Sequence, residues 1–182
     1  MPKQTNNRAE RREPDQSLPS TRHHPASDLL PRPVFVITAA FENHRRGQLV
    51  RYVQLASDSP PSVSVAMPKG QPISPVIRDS KSFGLCQLPD TDEFLERKFA
   101  QAHLRGYDEE ENPSDPFDSL ETTTAETDSP LITRSLMWLD CRVTMHIDLE
   151  GDFEMYIGEV VASKLLMPDT DPLIRIGPHN PQ

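Results

Sequence analysis

Six segments of the chain have the apolar patterning of short β-strands. They are residues 33–41, 51–56, 62–67, 82–88, 135–149 and 153–166. β-Branched and aromatic side chains are frequent in them, and turn residues separate them. Pro60 and Pro61 mark one turn, since proline cannot donate a ladder hydrogen bond. Gly151 marks another, because glycine accepts the positive φ of a hairpin turn. The pattern therefore predicts a mainly β domain.

Two further segments have helical spacing. Residues 72–81 fit a short helix with Ser74 as N-cap and Pro75 at the first helical position. Residues 90–104 place apolar side chains on one helical face, and Asp90 or Thr91 can cap that helix. Because many short strands must close or cover their edges, we expect a barrel with two short helical insertions.

The remaining segments are polar and set the expected domain boundaries. Residues 1–33 form a proline-studded arm without a period that could build a packed face, so we predict that they are disordered. The domain is expected over residues 34–172, interrupted by an acidic loop at 105–130, and residues 173–182 form a C-terminal tail. Apolar residues make up only 35% of the chain, below the roughly 45–50% of ordinary soluble domains.

Charge and cysteine content exclude several classes of protein. The net charge is −9, which argues against a general nucleic-acid binder because such proteins need a basic face. No apolar run approaches the ~20 residues of a membrane span, and the N-terminus lacks the apolar middle of a signal peptide. The two cysteines lack metal-ligand spacing. We therefore expect a cytoplasmic protein without a metal site, a membrane segment or a nucleic-acid partner.

Residues that could carry chemistry are scattered and belong to no catalytic motif. The sequence contains no G-x-S-x-G elbow, phosphate-binding glycine loop or dinucleotide fingerprint, so it identifies no catalytic residue. Cys86 and Cys141 lie within apolar strands and are expected in the core. His146 alternates with apolar neighbours, which predicts a surface imidazole. Residues 44–46, His-Arg-Arg, are expected in a loop ending at Gly47, where they could meet an anion or form a solvated turn.

The order of the segments carries a stronger signal than any single residue. It includes DSPP at 58–61, SKSFGLCQL at 80–88, FA at 99–100, DPF at 115–117, LMWLDCRV at 136–143 and GDFEMYIGEVV at 151–161. This ordered set resembles the flavin reductase-like family from about Pro33 to Pro172. The resemblance implies a split β-barrel that binds FMN and forms a homodimer.

The resemblance also implies where a cofactor would bind. Strands 51–56 and 62–67 would form a slot for the flavin ring, and cations and hydroxyls nearby would meet the phosphate. Hydroxyl residues that follow the loop glycine in the family fall on Leu49, Val50 and Arg51, and an arginine can bind phosphate bidentately. The implied cofactor-binding residues are Arg51, Tyr52, Val53, Gln54, Met67, Lys69, Ser74, Cys86 and Phe153, with Arg78 as a further cation.

Two functions remain open at this point. The first is an oxidoreductase in which NAD(P)H reduces FMN. The second is a non-catalytic split barrel with a degenerate flavin site that acts as a dimeric interaction module. Leu49, Leu55, Cys86 and Phe153 favour the second, because they replace polar residues of the family pattern. A barrel that binds another flat cofactor, such as heme, ranks below both because no histidine or cysteine is clearly placed as an axial ligand.

Overall fold

The structure is a computed structural model that describes residues 25–100 and 115–177. The strands, in chain order, are β1 (Arg32–Pro33), β2 (Phe35–Phe41), β3 (His44–Val50), β4 (Tyr52–Asp58), β5 (Pro61–Pro68), β6 (Ser82–Gln87), β7 (Thr122–Thr123), β8 (Leu131–Ile132), β9 (Met137–Asp148), β10 (Phe153–Leu165) and β11 (Ile174–Arg175). The helices are α1 (Ile73–Ser80) and α2 (Glu93–Ala100), and a 3-10 helix precedes β1 at Pro25–Leu29.

Seven of these strands form one antiparallel sheet in the order β3-β2-β6-β9-β10-β5-β4. Its two edge strands, β3 and β4, are consecutive in the chain and only Arg51 separates them. The sheet therefore curls until its edges approach each other, while no ladder joins them. This is a split β-barrel with short helical insertions, which confirms the predicted fold class.

Two apolar clusters hold the barrel together, one on each face of its central strands. The inner cluster includes Phe35 and Ile37 of β2 and the buried face of α1. The outer cluster includes Val34 and Val36 with side chains from α2 and from the segment before β9. Since neighbouring residues of a strand point to opposite faces, burial on both faces explains why this stretch is an unbroken apolar run.

The helices begin at different residues from those predicted. At α1 the N-cap position is Pro72, which has no side-chain cap, and the hydroxyl of Ser74 bonds elsewhere. At α2 the cap is Asp92, whose Oδ1 accepts the Leu95 N–H at 3.1 Å, and neither Asp90 nor Thr91 has that role. Helical spacing predicts that a helix is present more reliably than it predicts the first residue, because several consecutive polar residues can act as the N-cap. Residues 101–104 of the predicted helix lie outside the described residues.

The expected loop before Gly47 is a strand instead. Residues 44–50 form β3, which pairs with β2 along its whole length. A Cβ atom at Gly47 would lie 2.8 Å from the ring of Phe99 and 3.0 Å from that of Phe117. The glycine is therefore needed for close packing of α2 and the following segment against β3, and no turn is required there.

Ordered structure extends past the expected domain boundaries. Residues 1–24 lie outside the described residues, but 25–33 supply the 3-10 helix and β1. Pro33 pairs with Ile174 of the expected tail, and Leu173 is buried. Within the acidic loop, residues 105–114 are not described, whereas Phe117 is buried in the outer cluster. No described helix is long and apolar enough to span a membrane.

Candidate functional site

A buried carboxylate lies at one end of the barrel and collects three polar side chains. Glu154 is 5% exposed. The Ser74 hydroxyl donates to its Oε1 at 2.5 Å, and the Tyr156 hydroxyl donates to its Oε2 at 3.1 Å. His146 Nε2 lies 2.8 Å from the same Oε2. We call these four residues the Glu154 cluster.

Three different elements build this cluster. Glu154 and Tyr156 lie two residues apart on β10 and so share a face of the strand. His146 on β9 is the register partner of Tyr156, and the two rings stack with centroids 4.5 Å apart and an interplanar angle of 11°. Ser74 enters from the first turn of α1. Burial and then the charge of Glu154 raise the pKa of Tyr156 to about 12, which keeps its hydroxyl a donor.

His146 is exposed, as predicted for a surface imidazole, and its ring is also part of the Glu154 cluster. Its neighbours Met145 and Ile147 lie on the outer face of the sheet, opposite Ile157 and Met155. The interior at this end of the barrel is lined by the polar Glu154 cluster. The apolar side chains of Met145 and Ile147 therefore lie on the outer face of β9. The sequence feature that could have indicated the Glu154 cluster is the glutamate between the apolar residues Phe153 and Met155 of β10. A buried carboxylate requires polar partners, so such a residue predicts polar side chains nearby.

Lys69 lies beside this cluster, after β5. Its Nζ donates to the Leu149 carbonyl at 2.8 Å and forms an ion pair with Asp148. Its backbone N–H donates to the Asp152 carbonyl at 2.8 Å. The lysine therefore attaches the end of β5 to the β9–β10 turn.

An aromatic pair lies on the outer side of the same strands. The rings of Tyr52 and Phe153 meet edge to face, with centroids 5.6 Å apart and an interplanar angle of 78°. Tyr52 is 40% exposed, and Gln54 is exposed two residues further along β4. The side chains of Val53 and Met67 instead belong to the inner cluster.

The side chains of two of the predicted site residues make contacts outside the Glu154 cluster. Arg51 reaches α2, where its guanidinium is 3.8 Å from Glu96, and Arg175 also pairs with Glu96. Cys86 is fully buried in the outer cluster, and its Sγ accepts the Ile132 N–H at 3.3 Å.

The two cysteines are core residues, as predicted. Burial raises the pKa of Cys86 to about 12 and raises the pKa of Cys141 well above its usual range. Such thiols are poor nucleophiles. Within residues 25–100 and 115–177, no group of three His, Cys, Asp or Glu side chains could hold a metal ion.

Comparison with known proteins identifies the family of this barrel. The model of the flavin reductase-like domain matches residues 27–176. The fold defines a split-barrel protein of the flavin reductase-like class. The chain belongs to the flavin reductase-like domain family. Two diflavin flavoproteins of Synechocystis are 29% and 26% identical to it over 150 and 124 residues, which are 80% and 68% of this chain. The chain spans only 24% and 20% of their lengths.

Solved structures agree on the fold. An NADH:FAD oxidoreductase of Streptomyces globisporus superposes with a TM-score of 0.72 at 22% identity, covering 84% of this chain and 86% of that one. The styrene monooxygenase flavin reductase of Pseudomonas putida superposes with a TM-score of 0.64 at 19% identity, covering 84% and 90%.

The residues present fit the flat ring of a flavin better than its phosphate. The aromatic pair on the outer side suits a flat ring, whereas Val53 and Met67 face the inner cluster. Among the groups predicted to hold a phosphate, Arg78 is exposed on α1, and the other three are each in contact with a carboxylate of the chain. The pairs are Arg51–Glu96, Lys69–Asp148 and Ser74–Glu154.

Proposed function

We propose that this chain binds FMN and reduces it with NAD(P)H. The observation that carries the proposal is membership of the flavin reductase-like family across residues 27–176, nearly the whole described barrel. One solved neighbour is named an NADH:FAD oxidoreductase, and another is named a flavin reductase. A bound flavin supplies the ring that accepts hydride, so the protein's part is chiefly to bind and orient two ligands.

The chain's own residues have distinct proposed roles. Tyr52 and Phe153 contact the flat ring, and the Gln54 amide meets a polar edge of it. Val53 and Met67 support the strands from the inner cluster. Lys69 follows β5 and Ser74 is buried in the Glu154 cluster, and their fixed contacts limit how far either can turn toward a ligand.

Flavin binding is the first test of the proposal. The purified protein is titrated with FMN while the quenching of flavin fluorescence is followed, and NADH and NADPH oxidation is then measured. We expect Phe153→Ala to weaken FMN about tenfold, since a ring contact is worth on the order of 1 kcal/mol. Phe41→Ala, which changes a 40% exposed phenylalanine on β2, is the matched control and should leave the affinity unchanged.

A non-catalytic interaction module is the second candidate. The contacts of Lys69 and Ser74 with carboxylates favour it, because they reduce the capacity to hold a phosphate-bearing cofactor. Absence of FMN, FAD and riboflavin binding up to high micromolar concentrations would support this candidate against the enzyme. Flavin binding without NADH or NADPH oxidation would separate the binding step from the reduction.

A homodimer is also part of the proposal. The outer face of β9 and β10 carries Met145, which is 53% exposed, beside the half-buried Ile147, Met155 and Ile157. An apolar sheet face of this kind suits a second copy. Light scattering should give twice the chain mass, and Met145→Glu should give a monomer. A monomeric wild-type protein would contradict the proposal.

We place the protein in the cytoplasm. Both cysteines are free and buried, as is common in a reducing compartment. Cell fractionation with a soluble cytoplasmic marker tests this location.

A further inference from the structure

The C-terminal end of the described chain contacts α2 through an ion pair and through the apolar core. Arg175 of β11 contacts both carboxylate oxygens of Glu96, with its Nε 3.3 Å from Oε1 and its Nη2 2.5 Å from Oε2. Leu173 is buried in the outer cluster, which also contains Leu95 of α2. We call residues 171–177 the C-terminal strap.

Backbone hydrogen bonds join the strap to the residues that lead into α2. The Asp90 N–H donates to the Asp171 carbonyl at 3.0 Å, and the Leu173 N–H donates to the Leu88 carbonyl at 2.8 Å. The strap therefore meets the chain just before the helix through its backbone, and it meets the first turn of the helix through Glu96. This last contact joins residues that are 79 positions apart in sequence.

On its other side the strap belongs to a small sheet. β11 pairs with β1 in a two-stranded sheet that is separate from the seven-stranded one. The Gly177 N–H donates to the Asp28 carbonyl at 2.8 Å, the Arg32 guanidinium donates to the Gly177 carbonyl, and the Val34 N–H donates to the Leu173 carbonyl at 2.9 Å. A two-stranded sheet is marginally stable by itself, so we expect this one to open at a lower free energy than the main sheet.

Glu96 also contacts the corner between the two edge strands of the barrel. Nη2 of Arg51 lies 3.8 Å from Oε1 of Glu96, the same oxygen that Arg175 Nε contacts. The Glu96 side chain is only 18% exposed, and salt screens an ion pair with a partly buried carboxylate less than a fully exposed one. Glu96 is therefore the residue at which the strap, the helix and the corner of the barrel meet.

We propose that the C-terminal strap fastens α2 to the barrel and that the Glu96–Arg175 pair couples the two segments. When the strap separates, α2 loses this pair, the hydrogen bonds before its first turn and a neighbour, Leu173, in the outer cluster. The helix keeps its contacts with Arg134 and with the Asp118 carbonyl, so it loosens without leaving the barrel. The strap and α2 thus form one conformational unit that opens at a lower free energy than global unfolding. The proposal does not depend on flavin binding.

Native-state hydrogen exchange on the full chain measures both segments at once. Arg175→Gln removes the ion pair from the side of the strap and leaves the sequence of α2 unaltered, yet we expect the amides of residues 96–100 to exchange about fivefold faster. Coupling between two sites is reciprocal, so Glu96→Gln should speed the exchange of residues 173–177 by a similar factor. The double variant should add little to either single one, because both remove the same interaction.

Arg97→Gln is the matched control on α2. Arg97 is exposed, and its Nε lies 3.4 Å from the Glu93 carbonyl of the same helix, so this variant removes one positive charge without touching the strap. Exchange in both segments should keep its wild-type rate. Unchanged α2 exchange in Arg175→Gln, or an equally large change in Arg97→Gln, would contradict the proposed coupling.

The wild-type protein tests the same inference without a substitution. Raising the salt from about 50 mM to about 500 mM screens the ion pairs of Glu96, so exchange in residues 96–100 and 173–177 should rise together while the amides of β9 keep their protection. If α2 is protected as strongly as β9 at both salt concentrations, the helix opens only with the whole fold and the proposal is wrong. A rise confined to the strap would contradict it too, because the strap would then open without loosening the helix.

Discussion

The β9–β10 hairpin carries two buried carboxylates whose surroundings differ in kind. Asp140 on β9 is fully buried. Its Oδ2 accepts the backbone N–H groups of Glu126 and Thr127, both at 2.8 Å, and its Oδ1 accepts the Thr127 hydroxyl at 2.5 Å. Among the described residues, the groups that bond to Glu154 on β10 are all side chains, and they come from α1, β9 and β10. One carboxylate thus holds a loop in place, and the other is surrounded by groups that could also meet a ligand.

The two buried carboxylates differ in whether backbone or side-chain groups donate to them. Backbone amides cannot turn away from a lost acceptor, whereas the partly exposed His146 ring can bond water instead. We therefore expect Asp140 to matter more for stability than Glu154. Four substitutions test the comparison.

Asp140→Ala should have the largest effect. Removing its two oxygens leaves backbone donors of the 126–127 loop without their acceptor, so the free energy of unfolding should fall by about 3 kcal/mol. Urea unfolding followed by circular dichroism measures this loss. Asp118→Ala, at an exposed aspartate, is the control. A loss equal to that of the control would remove Asp140 from the proposed anchoring role.

Glu154→Ala should cost less, about 1–2 kcal/mol, because its donors are side chains and one of them, the partly exposed His146 ring, can bond water instead. The same urea experiment measures the difference. If Glu154→Ala destabilises the protein more than Asp140→Ala does, the proposed contrast between the two carboxylates is wrong.

Tyr156→Phe tests the cluster through pH. The folded-state pKa of Tyr156 is raised from 10.0 to about 12, so its contribution to stability is complete below about pH 10 and is lost as the pH rises toward 12. The wild-type protein should lose more free energy of unfolding than the variant over this interval. Both proteins keep the same cysteines, whose effects cancel in the comparison. Parallel curves for the two proteins would exclude the raised pKa.

Lys69→Met should have the smallest effect on stability, within about 0.5 kcal/mol, because its ion pair with Asp148 is exposed. If flavin binding depends on the ring, the variant should also change the affinities for FMN and riboflavin by the same factor. A selective loss of FMN affinity would show instead that Lys69 meets the phosphate.

The fold was largely predictable, because strand patterning and turn residues act locally. The six apolar segments correspond to strands, and the turn at Gly151 has the expected positive φ of 112°. β3 was missed because its first residues, His44, Arg45 and Arg46, are polar. Its place in the sheet is determined by pairing with β2 and by the rings that pack on Gly47, which are contacts distant in sequence.

The candidate site was less predictable. The order of the family segments predicted Tyr52, Lys69 and Phe153 as cofactor-binding residues, and the sheet places them on or just after the adjacent strands β4, β5 and β10. It could not identify the Glu154 cluster, since Ser74 and Glu154 are 80 residues apart and their contact depends on how α1 packs against the end of the barrel. A polar residue in an apolar strand indicates a buried partner without indicating which one.

The single residue between β3 and β4 has a consequence for behaviour at high concentration. Exposed strand edges can recruit strands from other molecules and so begin aggregation. Here both edges of the main sheet face each other at Arg51, side chains of α2 pack against β3, and the ladder of β4 has an irregularity between Leu55 and Ser57. The open seam of the barrel therefore leaves little regular edge to which a foreign strand could be added.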